Sequence, residues 1–104
     1  MKINSTNYTL STDGLILNEG TATADEPYER VFALGKGTVA IATAPSSEAV
    51  ALGHDTVAEA RGFGTRAVAH KEGAHAEAHG EGALALNSQG GTARAFDGAT
   101  IHVA

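Results

Sequence analysis

Three histidines and two glutamates fall within ten residues, in His70-Lys71-Glu72-Gly73-Ala74-His75-Ala76-Glu77-Ala78-His79. Imidazole and carboxylate are ligands for zinc and related divalent ions. In an extended strand alternate side chains share a face, so His75, Glu77 and His79 would point the same way. His70 lies on the far side of a turn. The metal candidates are therefore His70, His75 and His79. A set with i, i+2 spacing has no fixed third ligand and no neighbour to orient its imidazoles. A solvated polar face explains the same spacing, so no metal and no cofactor is expected. Other chemistry is equally thin. No Ser, His and Asp fall into a nucleophilic arrangement. Gly62-Phe63-Gly64 lacks the helix that a phosphate loop needs. Asp55 and Asp97 are too scattered for the Gly-Gly-x-Gly-x-Asp turns of calcium-binding rolls. An enzyme is not expected.

The elements that would carry these residues are written in a repeat. Ser47-Glu-Ala-Val-Ala-Leu-Gly53, Thr56-Val-Ala-Glu-Ala-Arg-Gly62, Thr65-Arg-Ala-Val-Ala-His-Lys71 and Ala74-His-Ala-Glu-Ala-His-Gly80 share the unit [Thr/Ser]-x-Ala-x-Ala-x-Gly, returning every nine residues. The unit reaches back to Thr38-Val-Ala-Ile-Ala-Thr-Ala44. It runs forward, with looser spacing, through Ala83-Leu-Ala-Leu-Asn87 and Ala93-Arg-Ala-Phe-Asp97 to Ile101-His-Val103. Within each unit the period is two, which predicts a strand. Thr38, Ala40 and Ala42, then Ser47, Ala49 and Ala51, and so on, form a face of small residues. That face should point inward, against a second sheet at short range.

The opposite face alternates from one strand to the next between apolar and charged. Two strands per coil explain this, with every second strand stacked in the same sheet about 18 residues on. The predicted fold is all-β, a two-sheet parallel β-solenoid over 38–104 with an irregular β cap over 1–37. One sheet should expose Val50, Leu52, Val68, His70, Leu84, Leu86, Ile101 and Val103. The other should expose Glu59, Arg61, Glu77, His79, Arg94 and Phe96, with Glu59 stacked on Glu77. Strand 38–43 breaks the alternation with Val39 and Ile41 outside. Leu15, Ile16, Leu17 and Val31 of the cap are expected to cover it. In the cap, Tyr8–Leu10 and Leu15–Leu17 read as strands joined by a turn at Ser11–Gly14. Thr21–Ala24 reads as a further strand or degenerate repeat, and Tyr28–Leu34 as a strand.

Bulk composition agrees. Three Phe, two Tyr and no Trp in 104 residues are too few for an ordinary core, and 13 Gly suit tight turns. The formal net charge of −5 argues against nucleic acid and against anionic membranes as partners. Cysteine is absent. No apolar run approaches the ~18 residues of a membrane-spanning helix, and Met1–Tyr8 lacks a signal-like apolar core. A cytoplasmic or virion-associated protein is expected.

The alternation Ala-Val-Ala-Leu-Gly53, Ala-Glu-Ala-Arg-Gly62 resembles the head repeats of trimeric autotransporter adhesins. It also resembles short Ala-rich β-repeat proteins of phages and actinobacteria, through Gly91-Thr-Ala-Arg-Ala-Phe-Asp97. The first resemblance implies a parallel β-roll with three chains around one axis. The apolar sheet is then a self-association surface, its interface Val50, Leu52, Val68, His70, Leu84, Leu86, Ile101 and Val103. Three His70 side chains would meet there, and their protonation at low pH would loosen the trimer. The expected function is a non-enzymatic structural, adhesive or interaction module, a homotrimer of phage type. The alternative is a small intracellular phage or mobile-element protein that binds and sequesters a host protein or ligand along its exposed sheet.

Overall fold

A strand whose every second residue is alanine can bring a second such strand very close, and this chain does so from β6 to β10. The structure, a computed structural model, describes residues 2–3, 8–11, 14–17, 20–88 and 90–103, with the side chains of 16, 20–88 and 90–101. The described residues form thirteen strands and no helix. They are β1 (Lys2–Ile3), β2 (Tyr8–Ser11), β3 (Gly14–Leu17), β4 (Thr21–Ala24), β5 (Arg30–Ala33), β6 (Val39–Ala42) and β7 (Glu48–Ala51). They continue as β8 (Val57–Arg61), β9 (Arg66–Ala69), β10 (His75–His79), β11 (Leu84–Asn87), β12 (Thr92–Phe96) and β13 (Thr100–Val103). The first sheet runs β1-β4-β6-β8-β10-β12 and the second β13-β11-β9-β7-β5-β3-β2. From β3 onward consecutive strands alternate between sheets, as the two-strand coil requires. Val57 pairs with His75 and Glu48 with Arg66, each eighteen residues on.

The interior is a column of small side chains. Ala40, Ala42, Ala49, Ala51, Ala58, Ala60, Ala67, Ala69, Ala76, Ala78 and Ala85 are all fully buried. Register stacks them in files, Ala40 on Ala58 on Ala76 in one sheet and Ala49 on Ala67 on Ala85 in the other. Such files bury little area per residue, but every coil adds another set.

The Thr or Ser that opens each unit closes the turn before it. Its hydroxyl donates to the carbonyl three residues back, and at Thr38, Ser47 and Thr65 the backbone N–H does so too. The hydroxyl bonds are Thr38 to Gly35 (2.7 Å), Ser47 to Ala44 (2.6 Å), Thr56 to Gly53 (2.5 Å) and Thr65 to Gly62 (2.7 Å). A buried hydroxyl is thereby satisfied. Ala74, Ala83, Gly91 and Ala99 close the later turns with the N–H alone. The third residue of these turns takes the positive φ of a type II turn. Gly37, Gly64, Gly73, Gly82 and Gly90 fill it, but so do Tyr28, Ser46 and Asp55 at φ of 67°, 66° and 58°, while the Phe96–Ala99 turn has positive φ at both Asp97 and Gly98. The turns stack as well, Gly37 N–H on Asp55 C=O (3.1 Å) and Asp55 N–H on Gly73 C=O (3.0 Å). A side chain at positive φ is strained by ~1 kcal/mol, part of which glycine forfeits in unfolded-state entropy. Ser46→Gly is therefore expected to raise stability by roughly 0.5 kcal/mol, seen as a higher urea midpoint at unchanged slope.

The solenoid begins earlier than residue 38. Strand β3 pairs parallel with β5, β5 with β7 and β4 with β6, so the coil runs in register from Gly14. Only β1 and β2 depart from it, each pairing antiparallel with the first parallel strand of its sheet. The turn expected between β2 and β3 falls at residues 12 and 13, outside the described residues. The expectation that residues 15–17 and 31 cover Val39 and Ile41 is also corrected. Strands β3 and β5 lie in the other sheet, and Val31 is part of the interior. Val39 and Ile41 stand half-buried beside Thr21, Thr23, Val57 and Glu59.

Candidate functional site

With an alanine interior, recognition must lie on the two outer faces, the turn ridges and the ends. On the first sheet register builds three parallel ladders. One is Thr21–Val39–Val57–His75–Thr92 and the next is Thr23–Ile41–Glu59–Glu77–Arg94. The third contains Arg61–His79–Phe96. This brings Glu59, Arg61, Glu77, His79, Arg94 and Phe96 together on the C-terminal half of the face. Glu59 does stack on Glu77, and each carboxylate has its own neighbour. Arg61 Nη2 lies 2.6 Å from Glu59 Oε2, and His79 Nε2 lies 3.4 Å from Glu77 Oε1. The His79 and Phe96 rings stack at 4.8 Å with 11° between planes. Arg94, beside Glu77 in register, has no ion pair within 4 Å among the described residues. The N-terminal half carries Thr, Val and Ile instead, so this sheet is charged over only part of its length.

On the second sheet the central ladder is Ile16–Phe32–Val50–Val68–Leu86. Beside it Leu34, Leu52, His70 and Ser88 follow the strand ends, with His70 Nδ1 2.6 Å from Ser88 Oγ. His70 thus neighbours Leu52 and Ser88, and Leu86 lies in the adjacent ladder. On the other flank runs Arg30–Glu48–Arg66–Leu84–Thr100. Glu48 bridges two arginines, Oε1 to Arg30 Nε at 3.2 Å and Oε2 to Arg66 Nη1 at 3.4 Å. A shallow groove follows this ladder, lined also by Tyr28, Ser46 and Gly64.

Two sequence expectations fail on register. Leu84 keeps the outer face but pairs with Arg66, so Leu86 rather than Leu84 stacks on Val68. Ile101 was placed on the outer face, but it pairs with Ala85, and Val103 pairs with Asn87. The residue that closes a turn points inward, and so does every second residue after it. Ala99 closes the last turn through its N–H to Phe96 C=O, so Ile101 takes the inward phase and Val103 shares its register position. The side chain of Val103 lies outside the described residues. Ile101 is nonetheless 45% exposed, on the last described strand of its sheet.

The three metal candidates do not converge. His70 follows β9 of the second sheet, while His75 and His79 lie on β10 of the first. Among the described residues no group of three His, Asp or Glu side chains is placed to hold a metal ion. Phe32 and the Arg30–Glu48–Arg66 ladder were missed by sequence reasoning. Their signal was available, since 30, 48 and 66, like 32, 50 and 68, recur at the coil period of eighteen.

The class this geometry defines is a two-sheet parallel β-solenoid with one largely apolar outer face. No protein-family model matches the chain, and no curated protein and no solved structure shows a significant match.

Proposed function

We propose that this chain is a non-enzymatic structural or interaction module that self-associates as a homotrimer through the outer face of its second sheet. The observation that carries the reading is the unbroken apolar ladder Ile16–Phe32–Val50–Val68–Leu86, widened by Leu34 and Leu52. The strip spans β3 to β11, with Thr9 and His102 at the same register on the flanking strands and Val50 only 6% exposed; such a strip is a docking surface or an aggregation hazard. Closed symmetric self-association is the usual way to cover one. The Arg30–Glu48–Arg66 ladder then forms a polar rim along one side, which favours one alignment over a slide. A second reading is a host-protein binder, favoured by the groove that joins this rim to the highly exposed Tyr28.

Solution mass tests the proposal. The 10.5 kDa chain should sediment as a multiple of three. Val68→Glu places a charge in the centre of the strip and should remove the threefold association while leaving the circular dichroism of a β protein intact. An unchanged mass for Val68→Glu, or a monomeric parent chain, defeats the trimer. In the monomer case the partner-binding reading takes its place.

A further inference from the structure

The groove along the Arg30–Glu48–Arg66 ladder has a volume of about 460 Å³, the size of a small-molecule site. It lies in the middle coils, between the face of the second sheet and the turn ridge of Tyr28, Ser46 and Gly64. Tyr28 is out of keeping with its position. It takes φ of 67° where glycine stands at residues 64 and 82 of the same ridge, and it remains 86% exposed. Backbone strain of this kind, with no burial in return, gathers at ligand-binding positions. The other lining groups are held in place but not used up. Glu48 gives one oxygen to Arg30 Nε and the other to Arg66 Nη1. Among the described residues Arg30 keeps both Nη groups free, and Arg66 keeps Nε and Nη2. Glu29 accepts the Glu26 amide at 2.9 Å. The two guanidinium groups stand two coils apart, ~10 Å by the spacing of paired strands.

We propose that this groove binds a neutral saccharide. Its two arginines and two glutamates balance, so an ion of either sign meets like charge and must break the Glu48 bridge to find a partner. Hydroxyl groups need no such exchange. Each both donates and accepts, so it takes a free guanidinium N–H and donates to a carboxylate or to the Ser46 hydroxyl. Adjacent sugar hydroxyls span the fork of an arginine as two carboxylate oxygens do. The C–H face of a sugar ring is apolar and lies flat on an exposed aromatic ring such as Tyr28. A protein segment fits less well. Strand addition needs free main-chain groups. Here the sheet presents its face, and the ridge amides are already paired, Ser46 to Gly64 C=O and Gly64 to Gly82 C=O. An apolar small molecule fits less well again, since sites for such ligands are lined mainly by apolar side chains.

Every lining residue belongs to one chain, so the site stands or falls apart from the trimer. The test is a printed array of neutral oligosaccharides of glucose, galactose, mannose and N-acetylglucosamine, with sialylated and uronic counterparts. Calorimetric titration of the intact chain with the neutral oligosaccharide that binds best then follows. Arg66→Gln should weaken that binding about tenfold, the size of one hydrogen bond to a charged group. Tyr28→Phe should bind as the parent does. Tyr28→Gly should also lose about tenfold. It should nonetheless melt at a higher temperature, because glycine relieves the strained turn. A residue with only a structural role would not lower affinity while raising stability. Phe63→Ala is the control. Phe63 is highly exposed on the same ridge, but its ring covers Gly82 and does not line the groove, so binding should be unchanged. The proposal is overturned if no neutral oligosaccharide is retained, or if the acidic counterparts bind better. It is equally overturned if Tyr28→Gly or Arg66→Gln binds at the parent level, or if Phe63→Ala loses as much as they do. The mass of the parent and of Val68→Glu, measured separately, decides the trimer whichever way these titrations fall.

Discussion

Ala58→Leu unfolds this chain or costs it about 3 kcal/mol or more, at the top of the range for overpacked cores. Ala58 is fully buried and sits between Ala40 and Ala76 in its file, which are also fully buried. Three added heavy atoms find no void there. Relief would need the two sheets to move apart, and that would loosen every coil above and below. The same substitution at Ala93, in the partly open last rung, should cost less than about 1 kcal/mol. Urea unfolding of the two variants side by side reads the difference directly. Equal midpoints would mean that the alanine files are not the tightly packed interior described above.

Gly53→Ala is the second severe substitution, at about 3 kcal/mol. Here the neighbour is backbone. A Cβ on Gly53 would overlap the Leu34 carbonyl oxygen and stand 3.2 Å from Thr56 Cγ2. Neither can swing aside: Thr56 is fully buried and its hydroxyl holds the Gly53 carbonyl. Gly37 is the control, in the same kind of turn. It has φ of +82° but no atom within 4 Å of an added Cβ. Gly37→Ala should cost only the ~1 kcal/mol of a left-handed alanine. A thermal melt that ranks Gly37→Ala below Gly53→Ala would contradict the close approach of coils at Gly53.

Much of this architecture could be read before any coordinates, and the reason is steric. Two sheets in close contact accept only small residues on their inner faces, so the alanine phase is written plainly from Thr38 to Ala85. The eighteen-residue coil then follows from the alternation of Val50, Glu59, Val68 and Glu77. Where steric selection weakens, reading fails. Before residue 38 the inward positions include Val31, and the turn Glu26-Pro27-Tyr28-Glu29 carries no Thr or Ser. The early coils therefore looked like a cap. After Asn87 the turns shorten: Leu84 pairs with Thr100 only sixteen residues on, and a fixed nine-residue count loses phase. That slip put Ile101 on the wrong face. The charged face was legible because Glu59, Glu77 and Arg94 keep their spacing to within one residue. The His70–Ser88 contact was not, since it depends on which strand end lies next to His70.

The change in turn closure along the chain has a consequence for how the coil holds together. Four consecutive turns, at residues 38, 47, 56 and 65, are tied by a hydroxyl, joined by an amide at 38, 47 and 65; the four that follow, at 74, 83, 91 and 99, have an amide and no such hydroxyl. A solenoid is a nearest-neighbour chain, in which each coil is ordered mainly by the one it rests on. Such a chain opens from its weaker terminus and closes again by templating on the stronger one. The hydroxyl-tied middle coils therefore serve as the template on which the later coils settle into register.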